Sequence, residues 1–183
     1  MIVLVSGFLK STAGNADTLT LTEYLRLFDH AFTPEFNLGW LPYGHKNADK
    51  LSFNNVKHLN SLKIRLSNGF IMSPAISGWA YSYRKLNEHL FWLVCCSEGE
   101  SGTSFLLYIL DTKHKTVSKT YQLANAFGDQ GDWAYTYGKF ENDSTYTYLT
   151  VFGSEEGTQD STLYRDRIKR NGEVFKLTRR KLK

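Results

Sequence analysis

Apolar and polar residues alternate from residue 62 onward, in short segments separated by polar turns. Successive side chains of a β-strand point to opposite faces, so this alternation predicts strands. Turn residues recur between the segments and no helical period interrupts them, which favours an antiparallel meander of hairpins over an α/β sheet. The predicted strands are 62–66, 70–72, 79–84, 90–97, 104–111, 117–123, 133–140, 145–152, 162–169 and 174–179.

One helix is predicted near the N-terminus. Thr20 and Glu23 have the spacing of a capping box, in which a hydroxyl and a carboxylate each accept from a backbone amide. The next apolar residues recur at the three- and four-residue steps of an amphipathic helix: Leu21, Tyr24, Leu25, Phe28 and Phe32. Pro34 cannot continue a helix, so we expect the helix to cover 21–31. The predicted fold is mainly β, with either one curved sheet or two packed sheets and this single N-terminal α-helix.

The chain divides into three predicted regions. Residues 1–16 combine a short apolar run with small residues, which is typical either of a truncated signal peptide or of a first strand. Residues 17–60 hold the helix and an irregular segment, and residues 61–183 form the antiparallel β module. The first interpretation of 1–16 predicts a periplasmic or extracellular protein, and the second a cytoplasmic one. No apolar run has the length of a membrane span, so none is expected.

Composition supports a β-rich globular protein. Hydrophobic residues make up 42% and charged residues 22% of the 183 residues, both ordinary values for a folded domain. Aromatic residues reach 15%, and flat side chains pack well on a pleated sheet. Cys95 and Cys96 are neighbours in an apolar run, where a strand would point them to opposite faces, so we expect two buried thiols rather than a disulfide.

The hairpin 133–152 carries the strongest candidate for ligand binding. Asn142 and Asp143 suit a two-residue type I′ turn. Such a turn would pair Tyr137 with Tyr148 and place the aromatic residues of both strands on one face. Trp and Tyr offer flat apolar area with a polar group, so this face is a candidate platform for a planar or sugar ligand, and the alternative is a buried core face. The candidate platform consists of Trp133, Tyr135, Tyr137, Tyr146 and Tyr148.

A second hairpin concentrates the positive charge of the chain. Residues 163–183 contain nine Lys or Arg and only two acidic residues. A type I′ turn at Asn171 and Gly172 would pair Ile168 with Phe175 and leave a basic ribbon on the other face. This ribbon is a candidate anion-binding site, and the alternative is a solvated edge hairpin. Its residues are Arg165, Arg167, Lys169 and Lys176.

No catalytic residue, metal site or cofactor is predicted. The five histidines lack the spacing of a metal motif, and no nucleotide-binding or nucleophile motif occurs. Acidic residues do cluster in predicted loops, and two carboxylates from separate loops could meet across a cleft, as in glycosidases. These loop acids are Glu98, Glu100, Asp129, Asp132, Glu155, Glu156 and Asp160.

A non-catalytic binding or interaction module for a glycan or a protein partner is the favoured hypothesis. The alternatives are a hydrolase of unrecognised type that uses loop carboxylates and a purely structural or inhibitor-like protein. A nucleic-acid partner is not expected, because the net charge of +4 is modest and nucleic-acid modules distribute basic residues over their binding surface.

Overall fold

A computed structural model describes residues 20–28, 30–37, 65–66, 77–99, 102–129, 131–157 and 159–182. The predictions made for 1–16, for the strand 70–72 and for its turn lie outside these ranges. No helix within them has the length and hydropathy needed to cross a bilayer. The elements are α1 (Leu21–Leu25), β1 (His30–Ala31), β2 (Glu35–Phe36), β3 (Arg65–Leu66), β4 (Ser77–Lys85), β5 (Leu90–Gly99), β6 (Gly102–Asp111), β7 (Thr116–Asp129), β8 (Asp132–Phe140), β9 (Thr145–Ser154), β10 (Gln159–Ile168) and β11 (Val174–Leu182).

The long strands β4 to β11 follow one another in a single antiparallel sheet. The sheet remains open, because the order of its described strands runs from β1 at one end to β11 at the other. Three short strands join it: β1 is parallel to β4 at one end, β3 is parallel to β7, and β2 is antiparallel to β8. The predicted mainly-β antiparallel fold with one N-terminal helix is confirmed.

Strands β5 and β6 are buried on both faces, which explains their continuous apolar sequences. Residues 91–96 are all buried, and neighbouring side chains enter different clusters. Cys95 packs in the cluster that contains Tyr24, whereas Cys96 packs in the cluster that contains Trp92. Both cysteines are free and buried, as predicted from their position in an apolar strand.

The sheet bends so that β8 and β9 lie across one side of β5 and β6. In a flat sheet, β5 and β8 would be three strand spacings apart, or about 14 Å. The rings of Trp92 on β5 and Phe140 on β8 instead have their centroids 5.3 Å apart. Tyr146 of β9 also donates a hydrogen bond from its hydroxyl to the carbonyl oxygen of Leu123 in β7, at 2.7 Å. One curved sheet therefore forms a core between its own two halves.

The sheet bends where β7 and β8 separate, and we call this separation the split between β7 and β8. The two strands pair only where 125–129 meet 132–136, and beyond that point β2 pairs with the end of β8. Phe36 of β2 is 1% exposed and fills the space between the halves. Its ring lies 5.7 Å from that of Phe105 in β6 and 6.4 Å from that of Phe140 in β8.

The N-terminal helix is shorter than predicted. The capping box is present, since Glu23 Oε2 accepts from the amide of Thr20 at 2.7 Å and Thr20 Oγ1 accepts from the amide of Glu23 at 3.3 Å. The helix ends at Leu25 rather than at residue 31. Phe28 joins the cluster under the helix, but Phe32 packs in the cluster of Trp92. The chain turns between these two residues, so their helix-like spacing reflects two separate packing sites.

Candidate functional site

The turn between β8 and β9 differs from the predicted two-residue loop. Phe140 pairs with Tyr146, and the amide of Glu141 donates to the carbonyl oxygen of Thr145 at 2.8 Å, so the hairpin loop has the three residues 142–144. The Oδ1 atom of Asn142 accepts from the amides of Ser144 at 3.0 Å and Thr145 at 2.9 Å. A type I′ turn needs positive φ at both central residues, and neither of the predicted pair has it. The side chain of Asn142 therefore organises a longer turn.

This turn exchanges the predicted cross-strand partners. Tyr137 pairs with Leu149, and Gly138 pairs with Tyr148. Tyr148 consequently shares a face with Tyr146 and the core residue Phe140, and we call this the inner face of β8 to β11. The predicted pairing was wrong, and the five aromatic residues do not form a single platform. The opposite surface, which we call the outer face, carries Trp133, Tyr135 and Tyr137.

The outer face exposes its aromatic rings to solvent. Tyr135 is 49% exposed and Tyr137 is 39% exposed. Trp133 is partly exposed, and its ring centroid lies 5.3 Å from that of Tyr135. The indole also covers Gly153 of β9, where a Cβ atom would overlap the ring. The glycine thus leaves room for the indole to lie against the sheet beside the two tyrosines.

Tyr148 instead contributes to a polar cluster on the inner face. Asp166 of β10 is 2% exposed, and its Oδ2 atom accepts from the hydroxyl of Tyr121 at 2.6 Å and from that of Tyr148 at 3.5 Å. Burial raises the pKa of Tyr121 far above its usual value, and the hydrogen bond to the Asp166 carboxylate raises it further. The pKa of Tyr148 is also raised, mainly by burial. Both phenols are therefore protonated donors to a carboxylate that would be costly to bury alone.

The turn between β10 and β11 also changes a predicted register. Gly172 has a φ of 88°, and its amide donates to the carbonyl oxygen of Lys169 at 2.9 Å. Asn171 lacks the positive φ of a type I′ turn, so the glycine is the single left-handed residue of a longer hairpin loop. Ile168 pairs with Val174 rather than with the predicted Phe175.

This register divides the predicted basic ribbon. Lys176 pairs with Asp166 and therefore belongs to the inner-face side, so its predicted face was wrong. Arg167 pairs with Phe175 on the outer face. The other two predicted residues are ion-paired: Arg165 Nη2 lies 2.6 Å from Glu141 Oε2, and Lys169 Nζ lies 2.8 Å from Glu173 Oε2.

Two outer-face bases lie outside the four-residue site predicted from the sequence, although the predicted basic ribbon continues into Arg180. Lys139 lies two residues beyond Tyr137 on β8, so simple alternation could have found it. Arg180 of β11 pairs with Leu163, which pairs in turn with Leu149. Only the register across three strands reveals this position. Within the described part of the chain, no ion pair involves Lys139, Arg167 or Arg180.

An open cavity of about 390 Å³ lies at the end of β8 and β9 that is remote from the 141–144 turn. Phe127 and Phe152 line it together with Asp132 and Asp160, two of the predicted loop acids. Both carboxylates belong to exposed residues, and Asp160 is ion-paired with Lys181 Nζ at 3.0 Å. They lack the enclosed apolar surroundings in which a glycosidase holds its acid. The cavity therefore offers the hydrolase hypothesis little support.

Comparison with protein-family models, curated proteins and solved structures finds no match to this chain.

Proposed function

We propose that the protein is a non-catalytic binding module that holds a glycan on its outer face. The observation that carries this proposal is the exposure of Tyr135 and Tyr137 beside Trp133 on one surface of the sheet. The burial of large aromatic rings is energetically favourable, so exposed rings on a shared surface suit a ligand that covers them.

The arrangement of the rings suits an extended ligand. Trp133, Tyr135 and Tyr137 are alternate residues of one strand, so successive Cα atoms are about 6.7 Å apart and the row is about 13 Å long. Their hydroxyl and indole N–H groups can form hydrogen bonds with sugar hydroxyls while the ring faces cover apolar sugar C–H groups. A short run of sugar units can therefore lie along β8.

The alternative use of these rings as a core face has less support. The core of β8 and β9 already consists of the opposite side chains, including Phe140 at 7% exposure and Tyr146 at 0%. The outer-face tyrosines are not needed to complete it. An exposed row of rings in a strand that is already packed on its other side favours recognition over folding.

We expect the Tyr135→Ala/Tyr137→Ala variant to bind glycans roughly tenfold or more weakly than the wild type, because two ring contacts are lost. Binding is measured on an array of neutral and charged oligosaccharides and then by calorimetry with the best ligand. Gly153→Ala is a second test, since its methyl group must displace the indole of Trp133 without removing any ring. It should also weaken binding.

Phe152→Ala is the matched control, because Phe152 is 54% exposed but lies on the inner-face side of β9. It should leave glycan affinity unchanged. Circular dichroism checks that each variant is folded. A wild-type protein that binds no glycan on the array, or a folded double-tyrosine variant with full affinity, would contradict the proposal and favour a protein partner.

A further inference from the structure

The described part of the outer face carries more basic than acidic side chains. Its acidic residues include Glu35, which pairs with Lys139 across β2 and β8, and Glu173, whose Oε2 lies 2.8 Å from Lys169 Nζ. Glu141 accepts from Arg165 Nη2 at 2.6 Å and from the hydroxyl of Thr147 at 2.7 Å. Lys139, Arg167 and Arg180 have no ion-pair partner among the described residues. Three positive side chains thus share the surface of the aromatic rings.

The positions of these bases continue the aromatic row. Lys139 is the next outer-face residue of β8 after Tyr137, at a distance of about 6.7 Å along the strand. Arg180 lies in the same cross-strand row as Tyr137, three strand spacings or about 14 Å away. A ligand that covers the rings therefore meets a base both along the strand and across the sheet.

We propose that the glycan held by the outer face is anionic, carrying sulfate or carboxylate groups that bind Lys139, Arg167 and Arg180. This inference rests on the proposed function and specifies its ligand class. Guanidinium groups bind such oxyanions through two parallel hydrogen bonds, and an ammonium acts as a point charge. The aromatic row binds the sugar rings, and the bases select for the substituents.

The inference is tested with three matched probes: dextran, carboxymethyl-dextran and dextran sulfate. We expect the charged dextrans to bind more tightly than dextran, with an affinity that falls as salt is raised. Arg167→Gln/Arg180→Gln should weaken binding of the charged probes roughly three- to thirtyfold, the range for two exposed ion pairs. The carboxymethylated and sulfated probes identify which anion is preferred.

Lys85→Gln/Lys113→Gln is the control of equal charge change, because both lysines are exposed and lie outside β8 to β11. It should retain full affinity, whereas equal losses in the two charge variants would indicate unspecific attraction and overturn the inference. Equal binding of all three dextrans, still dependent on Tyr135 and Tyr137, would overturn the anionic preference but leave the proposed function standing. Binding of none would overturn both. Single-stranded poly(dT) that binds as tightly as dextran sulfate would replace the glycan with nucleic acid.

Discussion

Replacement of Trp92 by alanine is expected to lower the free energy of unfolding by about 3–5 kcal/mol. Trp92 is 0% exposed and lies between the two halves of the sheet, with its ring 5.3 Å from that of Phe140. Removal of the indole would leave a cavity where both halves meet. Urea unfolding followed by circular dichroism measures the loss.

Trp133→Ala is the matched control, because it removes the same side chain from the outer face. We expect a smaller loss, of about 1 kcal/mol, since Trp133 is partly exposed although its indole lies against Gly153 and Tyr135. Trp92→Phe provides a milder test if the alanine variant does not fold. The buried indole nitrogen of Trp92 has no hydrogen-bond partner among the described residues, so phenylalanine removes this donor while it keeps an aromatic ring. Equal losses for Trp92→Ala and Trp133→Ala would contradict the assignment of the core.

Phe36→Ala should lower the free energy of unfolding by a similar amount, about 3–5 kcal/mol. Phe36 belongs to a strand of only two residues, but its ring lies between those of Phe105 and Phe140 at the split between β7 and β8. The substitution removes the side chain that fills this split. Urea unfolding again gives the change, and Phe36→Leu should lose much less because it retains most of the volume.

The control for this position is Phe175→Ala. Phe175 is 38% exposed, and its ring centroid lies 4.4 Å from the ammonium of Lys169. Its loss should cost no more than about 1 kcal/mol. If Phe36→Ala were as mild as Phe175→Ala, β2 would not be part of the core and the account of the bend would be wrong.

The long strands were predictable because the alternation that indicates each of them lies within the strand's own sequence. Alternation in 133–140 and 145–152 follows from one buried face and one exposed face, and this pattern survives in any register. The continuous apolar run 91–96 is also explained by a strand, once both of its faces are covered. The order of β4 to β11 follows from short connections between successive strands.

The composition of the binding face could not be predicted, because it depends on turn geometry. A change in the number of loop residues by one moves a strand's side chains to the other face. The side chain of Asn142 accepts hydrogen bonds from two backbone amides of the longer turn. The resulting register places Tyr146 and Tyr148 on the inner face. Neither the identity of Asn142 nor the alternation of the strands distinguishes this turn from a two-residue one.

The packing of 30–37 was also beyond local reasoning. Phe28 and Phe32 have helical spacing, but they enter different clusters. Phe36 follows Pro34 in a segment without clear periodicity, and its burial depends on strands that lie about seventy to a hundred residues later in the chain. Contacts of such long range leave no periodic signal in the local sequence.

Aromatic side-chain NMR shows whether the outer-face rings bind the ligand. The protein carries ¹³C-labelled Tyr and Phe rings and is titrated with a dextran sulfate oligosaccharide. We expect the ring signals of Tyr135 and Tyr137 to shift until the protein is saturated with ligand, while those of Tyr146 and Phe152 stay unchanged. Saturable binding that shifts Phe152 and leaves Tyr135 and Tyr137 unchanged would contradict it.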